Sequence, residues 1–239
     1  MKKTYLVLAL VSSCVQADVW EDRIKDHLKS EGFNPDGGVV IVSAKQLAVP
    51  DGVKKKWKLQ QEEQKNKGYY SGETARAKEL LEMHQTISYE FKASAKDSRP
   101  ESSHLRHNVE EIKMGYVFVP VPKSEVTNLM GFAAEGGYDN GWNGIVEFFD
   151  KNGIGSCAYT ENNLKLSHGT EKIDEDIIRY DINGKITTID VHGTNESGFL
   201  YTVHWVDDNY FRNLECANSK YSARTTNAVI ALAKRIDAQ

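Results

Sequence analysis

The sequence lacks several features that would assign it to a common functional class. It contains 30 lysines and arginines against 34 aspartates and glutamates, a net charge of −4. This charge argues against general nucleic-acid binding, because such binding requires a basic surface. No internal repeat and no catalytic or nucleotide-binding motif is present. The length predicts one domain, or one domain with a helical extension.

Long apolar runs are also scarce, and the one near the N-terminus is too short to span a bilayer. Two lysines precede an apolar stretch at residues 5–11, and residues 15–17 fit a cleavage site. This arrangement is typical of a secretory signal peptide. We predict that residues 1–17 are removed and that the mature protein is secreted or periplasmic. Without the two lysines the net charge becomes −6.

A lipoprotein signal is the alternative. Residues 11–14 resemble a bacterial lipobox, in which Cys14 would carry the lipid and become the mature N-terminus. The usual leucine is missing, as is the usual glycine or alanine before the cysteine, so cleavage after Ala17 is favoured. In the alternative, the protein would be an outer-membrane lipoprotein that contacts a membrane only through Cys14.

The scarcity of cysteine leaves one pair after the signal peptide. Of three cysteines, Cys157 and Cys216 remain once Cys14 is removed or lipidated. An even number of cysteines in an exported protein predicts a disulfide. Closing this loop would stabilise the fold by about 4 kcal/mol in the chain-entropy model. The alternative is a nucleophilic thiol at Cys157, which needs a nearby histidine, and no motif places one there.

Turn signals divide residues 144–217 into β-hairpins. The turns are predicted at Asn152-Gly153, Asn183-Gly184 and Asp208-Asn209. Asn-Gly is typical of a type I′ hairpin turn, because both central residues need positive φ. The pattern predicts about six antiparallel strands. A further strand is predicted at residues 112–119, at a sheet edge because prolines follow it.

The second hairpin also predicts a register. With a two-residue loop, Ile182 pairs with Lys185 and Tyr180 pairs with Thr187. Extended to the next strands, this register leaves no face of the sheet uniformly apolar. Two explanations stay open: the sheet is covered on both faces, or a β-bulge switches the register.

Helical patterns flank the predicted sheet. Helices are predicted at residues 19–28, 51–67, 71–87 and 219–238, and a short strand at residues 39–42. The helix at residues 51–67 is strongly charged and therefore solvated. We expect Ser71 to cap the third helix and Ser219 or Ser222 to cap the last.

Together the patterns predict an α+β fold with N-terminal helices, an antiparallel β-meander sheet, and a C-terminal helix packed on the sheet. Residues 18–103 form a mainly helical N-terminal region that ends in a polar linker at residues 95–103. Residues 104–239 form the sheet and the C-terminal helix. We expect the two regions to pack as one compact domain.

The best candidate binding site is the glycine-rich loop at residues 136–144. Its recognition residues would be Tyr138, Asp139, Asn140 and Trp142, because rigid aromatic side chains serve recognition at low entropic cost. The alternative is a tight structural connector whose glycines supply positive φ. The loop lacks the Gly-Lys-Ser/Thr ending of a phosphate-binding loop.

A second candidate site lies on one strand, where Asp190 and His192 share a face. The predicted register places Tyr201 opposite Asp190. A carboxylate, an imidazole and a phenol together could perform acid–base catalysis. The alternative is a polar cross-strand network, and no nucleophile is placed beside these residues.

His104 and His107 are three residues apart, with Glu110 and Glu111 nearby. Zinc sites use such residues, but this segment follows a linker, so surface histidines are the favoured interpretation. We expect no bound metal and no cofactor.

These observations favour an exported, non-catalytic binding protein of the bacterial envelope or extracellular space. Its partner would be a protein or an envelope or host ligand, and not a nucleic acid. The alternative is a small secreted hydrolase that uses Asp190 and His192.

Overall fold

The computed structural model of the chain describes residues 37–43, 45–46, 49–90 and 105–239, without the side chains of residues 84–90. Several predictions lie outside the described residues: the signal peptide, Cys14, the helix at 19–28, the linker at 95–103 and His104.

The described chain contains four α-helices and ten strands. The helices are α1 (Asp51–Lys67), α2 (Ala75–Glu90), α3 (Leu164–Ser167) and α4 (Ala223–Asp237). The strands are β1 (Gly38–Val42), β2 (Tyr70–Ser71), β3 (Asn128–Tyr138), β4 (Trp142–Lys151), β5 (Gly155–Asn163), β6 (Thr170–Asp174), β7 (Arg179–Ile182), β8 (Lys185–Thr194), β9 (Gly198–Val206) and β10 (Tyr210–Asn218). Two short 3₁₀ helices lie at Val109–Glu111 and Glu175–Ile177.

Eight of the strands form one sheet, in the order β2-β8-β9-β10-β5-β4-β3, with β7 paired to β8. Two antiparallel meanders, β3-β4-β5 and β7-β8-β9-β10, meet where β5 pairs with β10. Only β2 runs parallel to its neighbour within this sheet. The predicted α+β fold, with a mostly antiparallel sheet and a C-terminal helix packed on it, is confirmed.

The three predicted hairpin turns are confirmed. Asn183 and Gly184 have φ values of 48° and 78°, as a type I′ turn requires. Six of the strands between residues 142 and 218 belong to the large sheet. The seventh, β6, instead pairs in parallel with β1, so the predicted strand at residues 39–42 belongs to a separate two-stranded sheet.

The predicted register of the β7–β8 hairpin holds for one pair only. Ile182 pairs with Lys185, but the next pair is Arg179 with Thr187 rather than Tyr180 with Thr187. An irregularity between these pairs shifts the strand by one residue, which is the β-bulge that the sequence left open. As a result Tyr180 is exposed.

The prediction of a strand at residues 112–119 is wrong. Residues 112–122, here called the strap, cross one face of the sheet, and their only ladder contact is an isolated bridge between Met114 and Trp142. The strap does not enter the sheet beside β4 because β3 and β5 already occupy both edges of that strand.

Both faces of the sheet are covered, so the two explanations for the mixed pattern both apply. On one face, α4 and the strap cover the larger core, which includes Phe149, Tyr159 and Trp205. On the other face, α2 covers a smaller core that includes Leu80 and Leu200. We call these the α4 face and the α2 face.

Of the two predicted helix N-caps, the one at Ser222 is confirmed and the one at Ser71 is not. Ser222 caps α4, because its Oγ accepts a hydrogen bond from the Thr225 N–H at 3.0 Å, as expected. The Ser71 cap is wrong: α2 begins at Ala75, and Thr74 Oγ1 accepts from the Ala77 N–H at 3.4 Å. Helix α1 has no buried residue, as expected of a solvated helix.

Cys157 and Cys216 form the predicted disulfide. They are direct partners in the β5–β10 pair, so the disulfide lies where the two meanders meet. Both residues are fully buried. This pairing leaves no free thiol at Cys157 for nucleophilic chemistry.

Candidate functional site

The structure brings Asp190 and His192 together with a tyrosine, but a different one from that expected. His192 Nδ1 and Asp190 Oδ2 are 2.8 Å apart, and the Tyr70 hydroxyl donates to the same Asp190 oxygen at 3.1 Å. The Tyr70 and His192 rings stack, with centroids 5.0 Å apart and planes within 7°. The carboxylate, imidazole and phenol therefore form one cluster at the β2–β8 edge.

Tyr201 lies on the opposite face of the sheet, which contradicts its predicted place beside Asp190. In the β8–β9 pair Asp190 opposes Thr202, whereas Tyr201 opposes Val191. The Tyr201 hydroxyl accepts from the Ser222 N–H at 2.9 Å and lies 3.2 Å from the Lys220 carbonyl, to which it donates. These two hydrogen bonds anchor the start of α4. The predicted position of Tyr201 was wrong because a shift of one residue in register moves a side chain to the other face of the sheet.

Tyr70 reaches this cluster because the side chain of Gln64 binds the backbone at the edge of β8, next to the place where β2 pairs. The Gln64 amide at the end of α1 donates to the Ile189 carbonyl and accepts from the Val191 N–H, both at 2.9 Å. Strand β2 follows and pairs in parallel with residues 192 and 193. No local signal in the sequence joins residue 70 to residue 190, so sequence reasoning missed this partner.

The hydrogen-bond partners of Tyr70, Asp190 and His192 determine what chemistry this cluster can perform. Burial and the Asp190 charge raise the pKa of Tyr70, which keeps its phenol protonated as a hydrogen-bond donor. Asp190 orients the imidazole through Nδ1, as an acid–base pair requires. In the part of the chain that the structure describes, no hydroxyl or thiol forms a hydrogen bond to His192. The pair could therefore act on a water molecule.

The glycine-rich loop is mostly a hairpin, and its tryptophan is not a surface residue. Strand β3 ends at Tyr138 and strand β4 begins at Trp142, so only a short turn separates them. Trp142 is only 3% exposed, so its indole lies in the core and is not displayed at the surface. Tyr138 is half-buried with its ring edge-on to Trp142, and only Asp139 and Asn140 are exposed at the tip.

The strap lies against the backbone of Trp142. The Trp142 N–H donates to the Lys113 carbonyl, and its own carbonyl accepts from the Gly115 N–H, both at 2.9 Å. A Cβ added at Gly141 would lie 2.5 Å from the Gly115 nitrogen. The glycine at position 141 therefore permits this close approach, which supports the structural interpretation of the loop.

The strap itself presents a surface that the sequence did not assign. Its side chains alternate between inside and outside from residue 116 to residue 119, as in an extended chain. Phe118 is buried against Tyr159, whereas Val117 is 86% exposed and Val119 is 50% exposed. The alternation of Val117 and Val119 with aromatic residues is present in the sequence, where it predicts a strand of the sheet rather than an extended segment that crosses it.

The inner end of the strap is held by an unusual buried acid. Glu147 on β4 is 2% exposed and accepts a hydrogen bond from the Val121 N–H at 2.8 Å. Burial raises the pKa of Glu147 to about 7. This carboxyl group is part of the core and is not aimed at an open site.

A polar network at one end of the α4 face is structural. Arg212 on β10 contacts Glu161 and Asp207, each at 2.8 Å. Burial raises the pKa of Glu161, and the Arg212 charge opposes that effect. Asp237 at the end of α4 accepts from Trp205 Nε1 at 3.0 Å. Since every member contacts a partner of opposite charge or a donor, the network fastens α4 to the sheet.

The structure describes only one histidine of the pair at residues 104 and 107. His104 lies outside the described residues, while His107 is described and exposed. Among the described residues, no group of three or more histidines, cysteines and acidic residues could hold a metal ion.

Comparison with known proteins assigns no family to this chain. No protein-family model, no curated protein and no solved structure matches it. Within the described residues, no helix is long and apolar enough to span a membrane.

Proposed function

We propose that this protein is an exported binding protein whose contact surface is the outward side of the strap. The observation that carries this proposal is the exposure of Val117 and Val119, at 86% and 50%, on one extended segment. Single exposed apolar residues are common, but clustered ones are typical of interaction sites. The buried Phe118 between the two valines fixes their outward direction.

Neighbouring residues extend this surface at the outer end of the strap. Leu166 is 46% exposed, and its Cδ1 lies 3.1 Å from where a Cβ on Gly115 would be. The exposed hairpin tip joins the same region, because Lys113 Nζ donates to Asn140 Oδ1 at 2.9 Å. Asp139 and Asn140, with half-buried Tyr138 behind them, would border a bound partner.

Export is part of the proposal. The signal-like residues 1–17 and the disulfide between Cys157 and Cys216 both suit an oxidising compartment. Intact-mass measurement of the secreted or periplasmic protein should show a mature chain that starts at Asp18. A chain that starts at acylated Cys14 would instead make the protein a membrane-anchored lipoprotein.

A photo-crosslinking experiment tests the binding function in the producing cell. A benzoylphenylalanine residue at position 117 should give a discrete adduct whose partner is identified by mass spectrometry. The purified partner should then bind the wild-type protein and lose affinity for Val117→Asp, with Val53→Asp on the exposed side of α1 as the matched control. Adducts no stronger than those from position 196, in an exposed turn, would overturn the proposal.

A second candidate function rests on the contact between Asp190 and His192. The oriented imidazole could assist hydrolysis by a water molecule. If so, the purified protein should hydrolyse an activated ester, and both His192→Ala and Asp190→Asn should abolish that activity. Equal rates for the wild type and both variants would remove this alternative and leave the cluster as the contact that docks β2 on β8.

A further inference from the structure

We propose that the α2 face of β8, β9 and β10 binds a small organic cation of the guanidinium type. The site lies across the sheet from the strap, so this inference is independent of the binding function proposed above. It rests on half-buried hydrogen-bond acceptors that have no donor in the described part of the chain, beside a carboxylate that no lysine or arginine contacts there.

Strand pairing gathers five polar side chains on this face, here called the polar patch. They form two neighbouring rows across the strands, with Asp190, Thr202 and Glu215 in one row and His204 and Asn213 in the other. Residues two apart on a strand share a face, so both rows face the same way. Leu200, two residues before Thr202, belongs to the apolar cluster beneath α2. The polar patch therefore lies on the α2 face, next to the apolar contacts of that helix.

The polar patch differs from an ordinary solvated sheet face. One face of an antiparallel sheet often faces water, and its polar side chains are then exposed. Here Thr202 is only 6% exposed, and the other four residues are half-buried. Polar groups that are withdrawn from water in this way need hydrogen-bond partners.

Two side chains of the polar patch lack such partners. Asn213 Oδ1 is buried and accepts no hydrogen bond in the part of the chain that the structure describes. Among the described residues, His204 also forms no hydrogen bond through its ring, which meets the Phe211 ring with centroids 5.5 Å apart. A buried acceptor without a donor is unfavourable, so these groups favour a ligand that donates hydrogen bonds.

The charges of the polar patch favour a cation. Tyr70 and His192 both contact Oδ2 of Asp190, and Oδ1 has no partner among the described residues. Burial lowers the pKa of His204, although the charges of Glu215 and Asp190 oppose this effect. At neutral pH the imidazole is therefore uncharged and offers one acceptor nitrogen. Acceptors grouped around a carboxylate suit a cation that carries several N–H donors.

An organic cation fits the polar patch better than a metal ion does. Neighbouring strands are about 4.8 Å apart, so acceptors on three strands do not converge on one point as metal ligands must. In agreement, no three metal-ligating side chains within the described residues are grouped closely enough to hold an ion. A planar guanidinium directs its donors to several sides and can therefore reach acceptors on adjacent strands.

Arg76 shows that a guanidinium fits this face of the sheet. Near the start of α2, its Nε donates to Glu215 Oε2 at 2.8 Å. This contact offsets the charge of the carboxylate at one end of the polar patch. At the other end, the only ion-pair partner of Asp190 in the described chain is His192. The cation would therefore bind beside Asp190, next to the acceptors of His204 and Asn213.

Titration of the folded protein with methylguanidinium chloride, followed by NMR, tests this inference. The side-chain amide signal of Asn213 and the ring signals of His204 should shift and reach saturation. N-methylurea, which has nearly the same shape and no charge, should bind about tenfold more weakly or worse, and so should methylammonium chloride. The absence of a saturable shift with millimolar methylguanidinium, or equal binding of either control compound, would overturn the inference.

Two pairs of variants separate a built site from general attraction by a negative surface. Thr188 lies directly beside His204, so Thr188→Lys should weaken methylguanidinium binding about tenfold or more, whereas uncharged Thr188→Gln should retain most of it. Asp190→Asn keeps an acceptor for Tyr70 but removes the charge, and should also weaken binding about tenfold. Glu196→Gln removes a carboxylate from an exposed turn and should bind as the wild type does.

Circular dichroism and thermal unfolding show that each variant is folded. Binding to folded Thr188→Lys that equals wild-type binding, or equal losses in Asp190→Asn and Glu196→Gln, would overturn the inference. Crosslinking at position 117 reports separately on the strap, and neither Thr188 variant should change it, because the strap lies on the other face of the sheet.

Discussion

The Glu147 carboxylate accepts a hydrogen bond from the Val121 N–H at 2.8 Å inside the core of the α4 face. Its cross-strand neighbours are Phe132 on β3 and Tyr159 on β5. Apart from Val121, no donor to Glu147 is found in the described part of the chain. Burial among these groups raises the pKa of Glu147 to about 7, above its ordinary value of 4.5.

This relationship makes stability depend on pH. The folded state holds the Glu147 proton more tightly than the unfolded state does. Protonation of Glu147 therefore contributes its full stabilisation of the fold below the pKa of the unfolded state, and this contribution is lost as the pH rises through about 7. The full difference corresponds to about 3 kcal/mol. Glu147→Gln should therefore be more stable than the wild type at pH 8, and the gap should close towards pH 5.

Urea denaturation of both proteins across this pH range measures the effect. Glu196→Gln, in an exposed turn, is the matched control and should follow the wild type. Parallel stability curves for the wild type and Glu147→Gln would show that the carboxyl group does not carry the pH dependence.

Trp142→Ala should destabilise the protein strongly. Its indole is buried against the α4-face core, and removing a buried tryptophan side chain typically costs about 3–5 kcal/mol. Asp139→Ala at the exposed tip of the same hairpin should change the unfolding free energy by less than about 0.5 kcal/mol. Thermal and chemical denaturation distinguish the two, and a stable Trp142→Ala protein would contradict the burial of this residue.

Tyr201→Phe should be more damaging than Tyr70→Phe. Loss of the Tyr201 hydroxyl leaves the Ser222 N–H without its acceptor at the start of α4, which costs about 1–3 kcal/mol. The Tyr70 hydroxyl only donates to Asp190, which is exposed enough for water to replace it, so its loss should cost about 1 kcal/mol or less. The reverse order in denaturation experiments would contradict the anchoring of α4 by the Tyr201 hydroxyl.

The disulfide should account for a large part of the stability. Cys157 and Cys216 are 59 residues apart in sequence, and reopening such a loop costs about 4 kcal/mol in the chain-entropy model. The double variant Cys157→Ala/Cys216→Ala should show this loss in denaturant. Thiol labelling of the native protein should detect neither cysteine, and both should react only after denaturation and reduction. Ready labelling of native Cys157 would show that the disulfide is absent.

Much of the local structure follows from the sequence, because local hydrogen bonds determine it. The Asn183-Gly184 turn forms because these two residues tolerate positive φ. Ser222 caps α4 because its hydroxyl reaches an N–H three residues later. The disulfide was also predictable, since only two cysteines remain after the predicted signal peptide. The α+β class then follows from the order of helical and strand patterns.

The candidate site was predictable only in part. Asp190 and His192 are two residues apart on one strand and therefore share a face in any register. Their tyrosine partner depends on which distant element docks at the edge of β8, and that element carries Tyr70. Tyr201 was excluded by a difference of one residue in pairing, which the sequence alone does not specify when both faces are covered.

The positions of Trp142 and the strap were decided by tertiary structure alone. The glycines around Trp142 are compatible with an exposed loop or a close backbone contact, and only the strap passing over residue 141 selects the second. Likewise, the alternating pattern at Val117 and Val119 suits any extended chain. Turns and caps are settled by neighbours in the sequence, whereas burial and exposure are settled by segments that meet only after the sheet and its covering elements have packed.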